Sequence, residues 1–353
     1  MKVTDFVKAT GNQFASVVDD GIAAGDVAGW IDTGSYALNA LLSGSIFKGA
    51  PSNKIVGYAA PSSTGKTFFV LGTAKGFLDQ NPDGIVMIFE SESALTKEML
   101  QQRGIDTKRT GIVPVVTVQD FRTQALKVVD NYEKTPEKDR VPLLFILDSM
   151  GMLSTTKELE DTAAGSDTRD MTRAQLLKAT FRVLTLRLGR ANIPLFLTNH
   201  VYDDVGGGPY AQPKISGGSG MQYAASSILT LSKAQHKDDE SGPVQGVILS
   251  VTNAKSRLTK EKLKVKCLVR YDSGLDRYYW LTELAEEAGI FKKMANKYTL
   301  PDGKSYFGKT IRNEPEKFFT QEVLEQIDTW TQKHFVYGGD NDETGDPSSS
   351  SEE

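Results

Sequence analysis

Eight consecutive residues carry the clearest chemistry in the chain. Ala60-Pro61-Ser62-Ser63-Thr64-Gly65-Lys66-Thr67 follows an apolar run, ends in Gly-Lys-Thr and opens a helical stretch. It fits the phosphate-binding P-loop pattern, with Ala60 in place of the leading glycine. In such a loop the backbone N–H groups and the helix N-terminus surround a polyphosphate. Pro61, Ser62, Ser63, Thr64, Gly65, Lys66 and Thr67 are therefore the expected nucleotide-binding residues. Lys66 supplies a point charge to the β/γ-phosphates, and Thr67 offers its hydroxyl to Mg²⁺. The expected ligand is ATP or GTP together with Mg²⁺.

Asp148 closes the apolar run Leu143-Leu144-Phe145-Ile146-Leu147. A buried strand running into a carboxylate is where a P-loop enzyme keeps the acid that orients Mg²⁺ and its waters. Thr67 and Asp148 are the expected metal-site pair. The alternative for Asp148 is a cap on the next segment. Glu90 and Glu92 end the run Val86–Phe89. Strand alternation puts both on one face, so each could reach the γ-phosphate. Hydrolysis needs one carboxylate to position the attacking water. The competing reading is a solvated acidic loop.

The elements that must hold these residues alternate between β-rich and helical. Strand candidates are Lys54–Ala59, Val86–Phe89, Leu143–Leu147, Leu195–Thr198, Ile228–Ser232, Val247–Thr252 and Leu263–Val269. The first four are nearly continuously apolar, as parallel strands covered on both faces are. Helices at Lys66–Leu78 and Asp170–Leu188 suit right-handed crossovers. In the second, Ala174, Leu177, Phe181, Leu184 and Leu188 form a core stripe. The fold class is α/β, a mostly parallel sheet flanked by helices. The last three strands follow one another closely and imply antiparallel hairpins. A small α+β element comes after them: a helix at Leu281–Ala288, a hairpin turning at Asp302-Gly303 and a helix at Thr320–Gln332. Residues 1–30 read as a helical extension with Phe6, Phe14, Val17 and Val18 as its apolar positions. The expected organisation is 1–30, 31–273, 274–334 and an acidic, disordered tail at 335–353.

Composition narrows the class further. With 39% hydrophobic and 24% charged residues, the chain is ordinary for a globular protein. No apolar run approaches the roughly eighteen residues of a membrane span, and the start lacks a secretory pattern. Cys267 is the single cysteine, which excludes an internal disulfide and a cysteine-based zinc site. The cytoplasm is the expected compartment. The net charge of −4 argues at first against nucleic acid. The tail, however, holds six acids and no Lys or Arg, which leaves 39 acids against 41 bases in residues 1–334. A slightly basic body with an acidic tail is compatible with DNA binding.

Four features stand in order: the P-loop, carboxylates after the next strand, Asp148 after a third, and Thr198-Asn199-His200 after a fourth. That order resembles the RecA recombinase family. Asp148-Ser149-Met150-Gly151, Asp170-Met171-Thr172-Arg173-Ala174 and Asn253-Ala254-Lys255-Ser256-Arg257 are similar to the UvsX-type recombinases of tailed phages. The similarity runs from Ile31-Asp32-Thr33-Gly34-Ser35 through the small C-terminal element. It implies a RecA-like P-loop ATPase core and DNA-dependent conversion of ATP to ADP and phosphate. It makes Glu92 the water-activating glutamate and His200 the polar sensor, Gln in bacterial RecA, that links the γ-phosphate to DNA binding. Lys255 and Arg257 match a basic pair that reaches the ATP of a neighbouring subunit; without the resemblance they are two surface charges. Met99 stands where the family has an adenine-stacking Tyr, and Thr96 where RecA has an Asp.

Two loops fall where this family contacts DNA, residues 157–170 and 201–218. The first is polar and reads as mobile. The second holds Gly206-Gly207-Gly208-Pro209, Tyr202, Tyr210 and Lys214, and a loop this long without structure of its own is functional or disordered. Arg169, Arg173, Lys178 and Arg182 flank the following core stripe, and Arg182 aligns with a family DNA contact. Their bland reading is the solvated edge of an amphipathic helix. The implied partners are single-stranded DNA, homologous duplex DNA and further copies of this chain in a helical filament, with residues 1–30 as the subunit contact. Mediator and single-strand-binding proteins and the cytoplasm of a host bacterium complete the implication. A ring helicase or translocase, and a non-motor ATP-regulated scaffold, are the alternatives. Removal of the tail after His334 is expected to tighten duplex binding.

Overall fold

A computed structural model describes residues 2–12, 14–22, 25–166, 172–202, 214–216, 220–236 and 245–338. In chain order the strands are β1 (Trp30–Ile31), β2 (Ala50–Pro51), β3 (Ile55–Ala60), β4 (Ile85–Glu90), β5 (Thr110–Pro114), β6 (Leu143–Asp148), β7 (Leu195–Tyr202) and β8 (Lys214–Ile215). They continue as β9 (Ser227–His236), β10 (Gly246–Ser256), β11 (Lys264–Arg270), β12 (Gly274–Leu275), β13 (Lys292–Met294), β14 (Lys297–Thr299) and β15 (Ser305–Phe307). The helices are α1 (Val3–Ala9), α2 (Tyr36–Ser43), α3 (Lys66–Gln80), α4 (Lys97–Gln102), α5 (Val118–Lys134) and α6 (Thr156–Ala163). After these come α7 (Arg173–Arg190), α8 (Gly220–Ala224), α9 (Leu281–Glu287), α10 (Gly308–Asn313), α11 (Pro315–Phe318) and α12 (Gln321–Phe335).

The main sheet has the order β12-β11-β10-β9-β3-β7-β6-β4-β5. The strands from β9 to β5 are parallel to one another, and β10, β11 and β12 close it with antiparallel hairpins. This is the α/β architecture the apolar runs imply. Alternation along β3 shows how one strand serves two faces: Val56 and Tyr58 join the core under α2 and α3. Ile55 and Ala59 join the core under α5 and α7. All seven expected strands are present, and β5 is an addition. Its residues, Thr-Gly-Ile-Val-Pro, line an edge and are half-buried or exposed, so no continuous apolar run marks them.

Three expectations need correction. Residues 1–30 are not one helical extension: α1 covers Val3–Ala9 and buries none of its residues. Phe6, Phe14 and Val18 are exposed, and the segment touches the body locally, through Phe14 under the Arg190 guanidinium at 4.1 Å and the carbonyls of Gly25 and Asp26, which accept from Lys54 and Asn53. The stretch 157–170 is not an unstructured loop. Thr155 accepts a hydrogen bond from Glu158 N (3.0 Å), and Glu158 accepts one from Thr155 N (3.3 Å). This capping box starts α6 at Thr156; residues 167–170 lie outside the described ones.

The C-terminal element is also less separate than 274–334 implies. Phe291, Phe318, Phe319 and Ile327 belong to the same apolar cluster as Leu41 of α2 and Phe69 of α3. Asp328 of α12 accepts hydrogen bonds from Ser45 Oγ (2.6 Å) and Ile46 N (2.8 Å) beside α2. The helix runs on through Phe335, which is buried. Among the described residues no helix is long and apolar enough to cross a membrane.

Candidate nucleotide-binding and catalytic site

Because β3, β4, β6 and β7 are parallel, their C-terminal ends emerge on one edge of the sheet, where α/β proteins bind ligands. Strand register then decides which residues meet. Ala60, the last residue before the P-loop turn, lies across from His200 of β7. Glu90 lies across from Asp148. Side chains far apart in sequence therefore share one cleft.

The P-loop turns on Gly65, which caps α3 at φ 104°, a conformation that disfavours any residue with a Cβ. Lys66 is 7% exposed, and its Nζ donates to the carbonyls of Ala60 (3.1 Å) and Pro61 (3.0 Å). Burial pushes its ammonium down, while Glu92 and Asp148 pull it back up. Thr67 Oγ1 donates to Asp148 Oδ2 at 2.8 Å. Thr198 Oγ1 donates to Asp148 Oδ1. Burial raises the Asp148 carboxyl above the usual range, the two hydroxyls oppose this, and Glu92 and Glu90 add to it. A buried ammonium, a hydroxyl–carboxylate pair and the N-terminus of α3 fit a Mg²⁺-bound polyphosphate. Thr67 and Asp148 would hold the metal, Lys66 the phosphates. Lys233 of β9, unmarked in the sequence reading, donates to the Ser63 carbonyl of the same loop.

The two glutamates divide roles that alternation had left shared. Glu90 is 7% exposed and does not face the cleft as a free acid. Its Oε1 accepts from Glu92 N (3.0 Å) and Ala94 N (3.0 Å), and its Oε2 from Ser93 N (2.9 Å). It is the anchor of the turn that presents Glu92. Glu92 lies past the end of β4, so the period-two argument stops before it. Its Oε1 is 3.3 Å from His200 Nε2. Ser91 ties this turn to the next strand: its Oγ donates to Ser149 O (2.8 Å) and accepts from Ser149 N (2.9 Å). Glu90→Gln is expected to lower stability by about 1.5–3 kcal/mol, the worth of hydrogen bonds to a charged acceptor. Turnover falls with it, because Glu92 loses its support; urea unfolding alongside an ATPase assay checks both.

His200 stands at the junction. Its Nδ1 is 3.4 Å from Lys66 Nζ, so the ring bridges the phosphate lysine and Glu92. Its backbone continues into the second loop: His200 O accepts from Ser216 N (2.9 Å), and Asn199 Nδ2 donates to Ser216 O (2.8 Å). Val201 pairs with Ile215 and Tyr202 with Lys214. The stretch 201–218 thus has a paired stem, contrary to the expectation of a wholly unstructured loop; its residues 203–213 and 217–219 lie outside the described ones. Ser91 and Ser216 carry no signal in the sequence, and Thr198 and Asn199 are marked there only as neighbours of His200; small polar residues at strand ends do not announce which carbonyl or carboxylate they bind.

Lys255 and Arg257 do not meet this cleft. Lys255 pairs with Ile228, which pairs with Gly57 near the start of β3, at the other end of the sheet from the P-loop. Their side chains donate to the carbonyls of Gln222, Ala225 and Tyr223 beside α8. Of the expected DNA contacts, Arg173 is turned inward, donating to Leu153 O (2.6 Å), Met150 O (3.1 Å) and Gly151 O (2.8 Å). Lys178 is exposed, with Nζ 4.9 Å from the ring centroid of Tyr223. Arg182 and Tyr202 are exposed. Arg169 and Tyr210 lie outside the described residues, and only the backbone of Lys214 is described.

Comparison with known proteins agrees with this geometry. The family described as RecA N-terminal domain matches residues 8–276. The chain is 31% identical over 259 residues to the recombination and repair protein of Enterobacteria phage T4, a match spanning 73% of this chain and 64% of that protein. It is 26% identical over 307 residues to protein RecA of a Thermus thermophilus strain, covering 85% of this chain and 83% of the relative. Protein RecA of a Nocardioides strain is 24% identical over 304 residues, 84% of this chain and 82% of its own. With a family match over most of its length, on the strands that build the cleft, the chain belongs to the RecA family.

Proposed function

We propose that the chain is an ATP-dependent DNA recombinase that assembles as a helical filament on single-stranded DNA, pairs it with homologous duplex and exchanges strands. The observation that carries this reading is the placement of His200, between the phosphate lysine and Glu92 on one side and the stem of the second loop on the other. Glu92 orients and deprotonates the attacking water, Lys66 neutralises charge on the β/γ-phosphates, and Thr67 with Asp148 hold Mg²⁺. His200 passes the state of the γ-phosphate to Ser216 and so to the loop that meets DNA. Lys255 and Arg257, remote from their own P-loop, supply positive charge to a neighbour's nucleotide. The exposed apolar positions of residues 1–30 make the subunit contact. Arg169, Arg182, Lys178, Tyr202, Tyr210 and Lys214 contribute to the DNA surface, where affinity falls steeply with salt. The cell compartment is the cytoplasm of a host bacterium, with a mediator and a single-strand-binding protein as partners.

The test is ATP hydrolysis with and without single-stranded DNA, with the same mixtures imaged. DNA-stimulated turnover and helical filaments support the recombinase. Closed rings turn the reading to a translocase, and no turnover in either condition leaves a nucleotide-regulated scaffold. The acidic tail adds a second expectation, with its cut moved. Phe335 is buried and its carbonyl accepts from Lys260 N (2.7 Å), so cutting after His334 damages α12. Truncation after Gly338 removes all six acids and is expected to tighten duplex binding most at low salt. An unchanged binding isotherm discards competition by the tail.

A further inference from the structure

Strand register puts one lysine of the β9–β10 hairpin beside the phosphate loop. β9 runs parallel to β3, with Thr230 across from Ala59. Lys233 lies three positions beyond Thr230 and Ser63 four beyond Ala59, so both stand past the end of β3 at the same edge. Lys233 is paired with Leu249 of β10, and directly paired residues share a face of the sheet. Leu249 is buried in the core under α2 and α3, and a Cβ at Gly65 would lie 3.6 Å from its Cδ1. The hairpin therefore walls the loop, apolar at Gly65 and cationic at Ser63.

The carbonyls of the loop are held from two sides. Lys66 Nζ donates to the carbonyls of Ala60 and Pro61, and Thr64 Oγ1 donates to Pro61 O at 2.9 Å, all from within the loop. The Ser63 carbonyl accepts from Lys233 Nζ, which reaches it from outside. Ser63 has φ 56°, a left-handed backbone that residues with a Cβ seldom adopt. Such a conformation persists only where its surroundings hold it, and the bond from β9 does so. Ser63 C=O and Thr64 N–H also belong to one peptide group. A cation on the oxygen draws charge from the nitrogen, which makes the N–H a stronger donor. In a P-loop such N–H groups cradle the α- and β-phosphates.

We propose that Lys233 is a positioning residue for the phosphate site: it holds Ser63 left-handed and polarises the Thr64 N–H, without touching the nucleotide itself. The inference rests on the ATP reading above and extends it from the loop to the strand that braces it. Its effect differs in kind from that of the loop lysine. Lys66 meets the β/γ-phosphates, so its contribution depends on the γ-phosphate. Lys233 acts through an amide that meets the α/β-phosphates, so it contributes equally to a diphosphate and a triphosphate.

The experiment measures dissociation constants of Mg·ATP and Mg·ADP for the full chain by calorimetry, with thermal unfolding of each variant alongside. Lys233→Met keeps the stem and removes the donor. It is expected to weaken both nucleotides by one common factor, roughly three- to tenfold, the worth of a single hydrogen bond. In steady-state hydrolysis the loss falls on KM rather than on kcat. Lys233→Arg, which keeps a charged donor of similar reach, recovers most of the affinity. Lys233 is exposed, so neither change opens a cavity in the core. Unchanged affinity for both nucleotides in Lys233→Met overturns the proposal. So does a loss confined to ATP, which would put Lys233 on the γ-phosphate, and so does a loss in Lys233→Arg as large as in Lys233→Met. An unaltered chain that binds neither ATP nor ADP refutes the ATP reading itself, a result distinct from loss of the Lys233 assignment alone.

Discussion

Glu92→Gln is expected to lower ATP turnover by about 10²–10⁴-fold, the range for removing a positioned general base. Binding of Mg·ATP is expected to persist. The substitution keeps the shape of the side chain and leaves the turn intact, because the three backbone N–H groups that shape it are held by Glu90. Lys66, Thr67 and Asp148 keep their contacts. On the proposed reading, filaments on single-stranded DNA are therefore expected to form and to persist in ATP, where those of the unaltered chain are expected to turn over. Single-turnover hydrolysis and calorimetric ATP binding separate the two effects. Turnover within about tenfold of the unaltered chain assigns the base to another residue.

Gly151→Val is expected to uncouple DNA from turnover. A Cβ at Gly151 would lie 2.7 Å from His200 Cδ2, which the ring does not tolerate, and 3.1 Å from Asn199 Oδ1, which must give by a few tenths of an ångström. Two further methyl groups force the imidazole aside, and its 3.4 Å approach to Lys66 and 3.3 Å approach to Glu92 are lost. Asn199 also shifts, and with it the bond to Ser216 O. The P-loop is not touched, so ATP still binds. Turnover without DNA persists at a reduced level, and the ratio of turnover with DNA to turnover without it falls toward one. Overpacking costs about 1–3 kcal/mol, so thermal unfolding of the variant belongs beside the assay. A ratio equal to that of the unaltered chain, in a folded variant, removes His200 from the coupling path.

Much of the frame was legible in sequence for a physical reason. A strand covered on both faces needs apolar side chains on both, and Leu143–Asp148 and Leu195–Thr198 show that directly. Gly65-Lys66-Thr67 was legible because few residue types allow a tight backbone approach to phosphate. Assembly of the site was less so. That Glu90 turns inward while Glu92 turns outward depends on where β4 ends, and three backbone donors settle it. The inward turn of Arg173 depends on backbone carbonyls presented at Met150, Gly151 and Leu153, which no side-chain pattern announces. Helix α6 was missed because its sequence, Thr-Lys-Glu-Leu-Glu-Asp-Thr-Ala, buries nothing and so has no apolar stripe. Its start was nonetheless written in Thr155 and Glu158, three positions apart. Lys255 and Arg257, surface charges but for the resemblance, lie away from their own cleft.

That location has a consequence for how copies must join. A nucleotide cleft at one pole of the sheet and a cationic pair at the other cannot satisfy each other in a two-fold dimer with a single self-matched face. On the proposed reading they meet only head to tail, and an interface of that kind propagates. Every polymer then has unlike ends: one terminal copy holds a nucleotide without a neighbour's cations, and the opposite terminal copy presents cations to no nucleotide. Hydrolysis at the two ends differs for that reason alone, so loss of subunits has a direction. A chain carrying Arg257→Ala, mixed into the unaltered protein, would silence a cleft that is not its own.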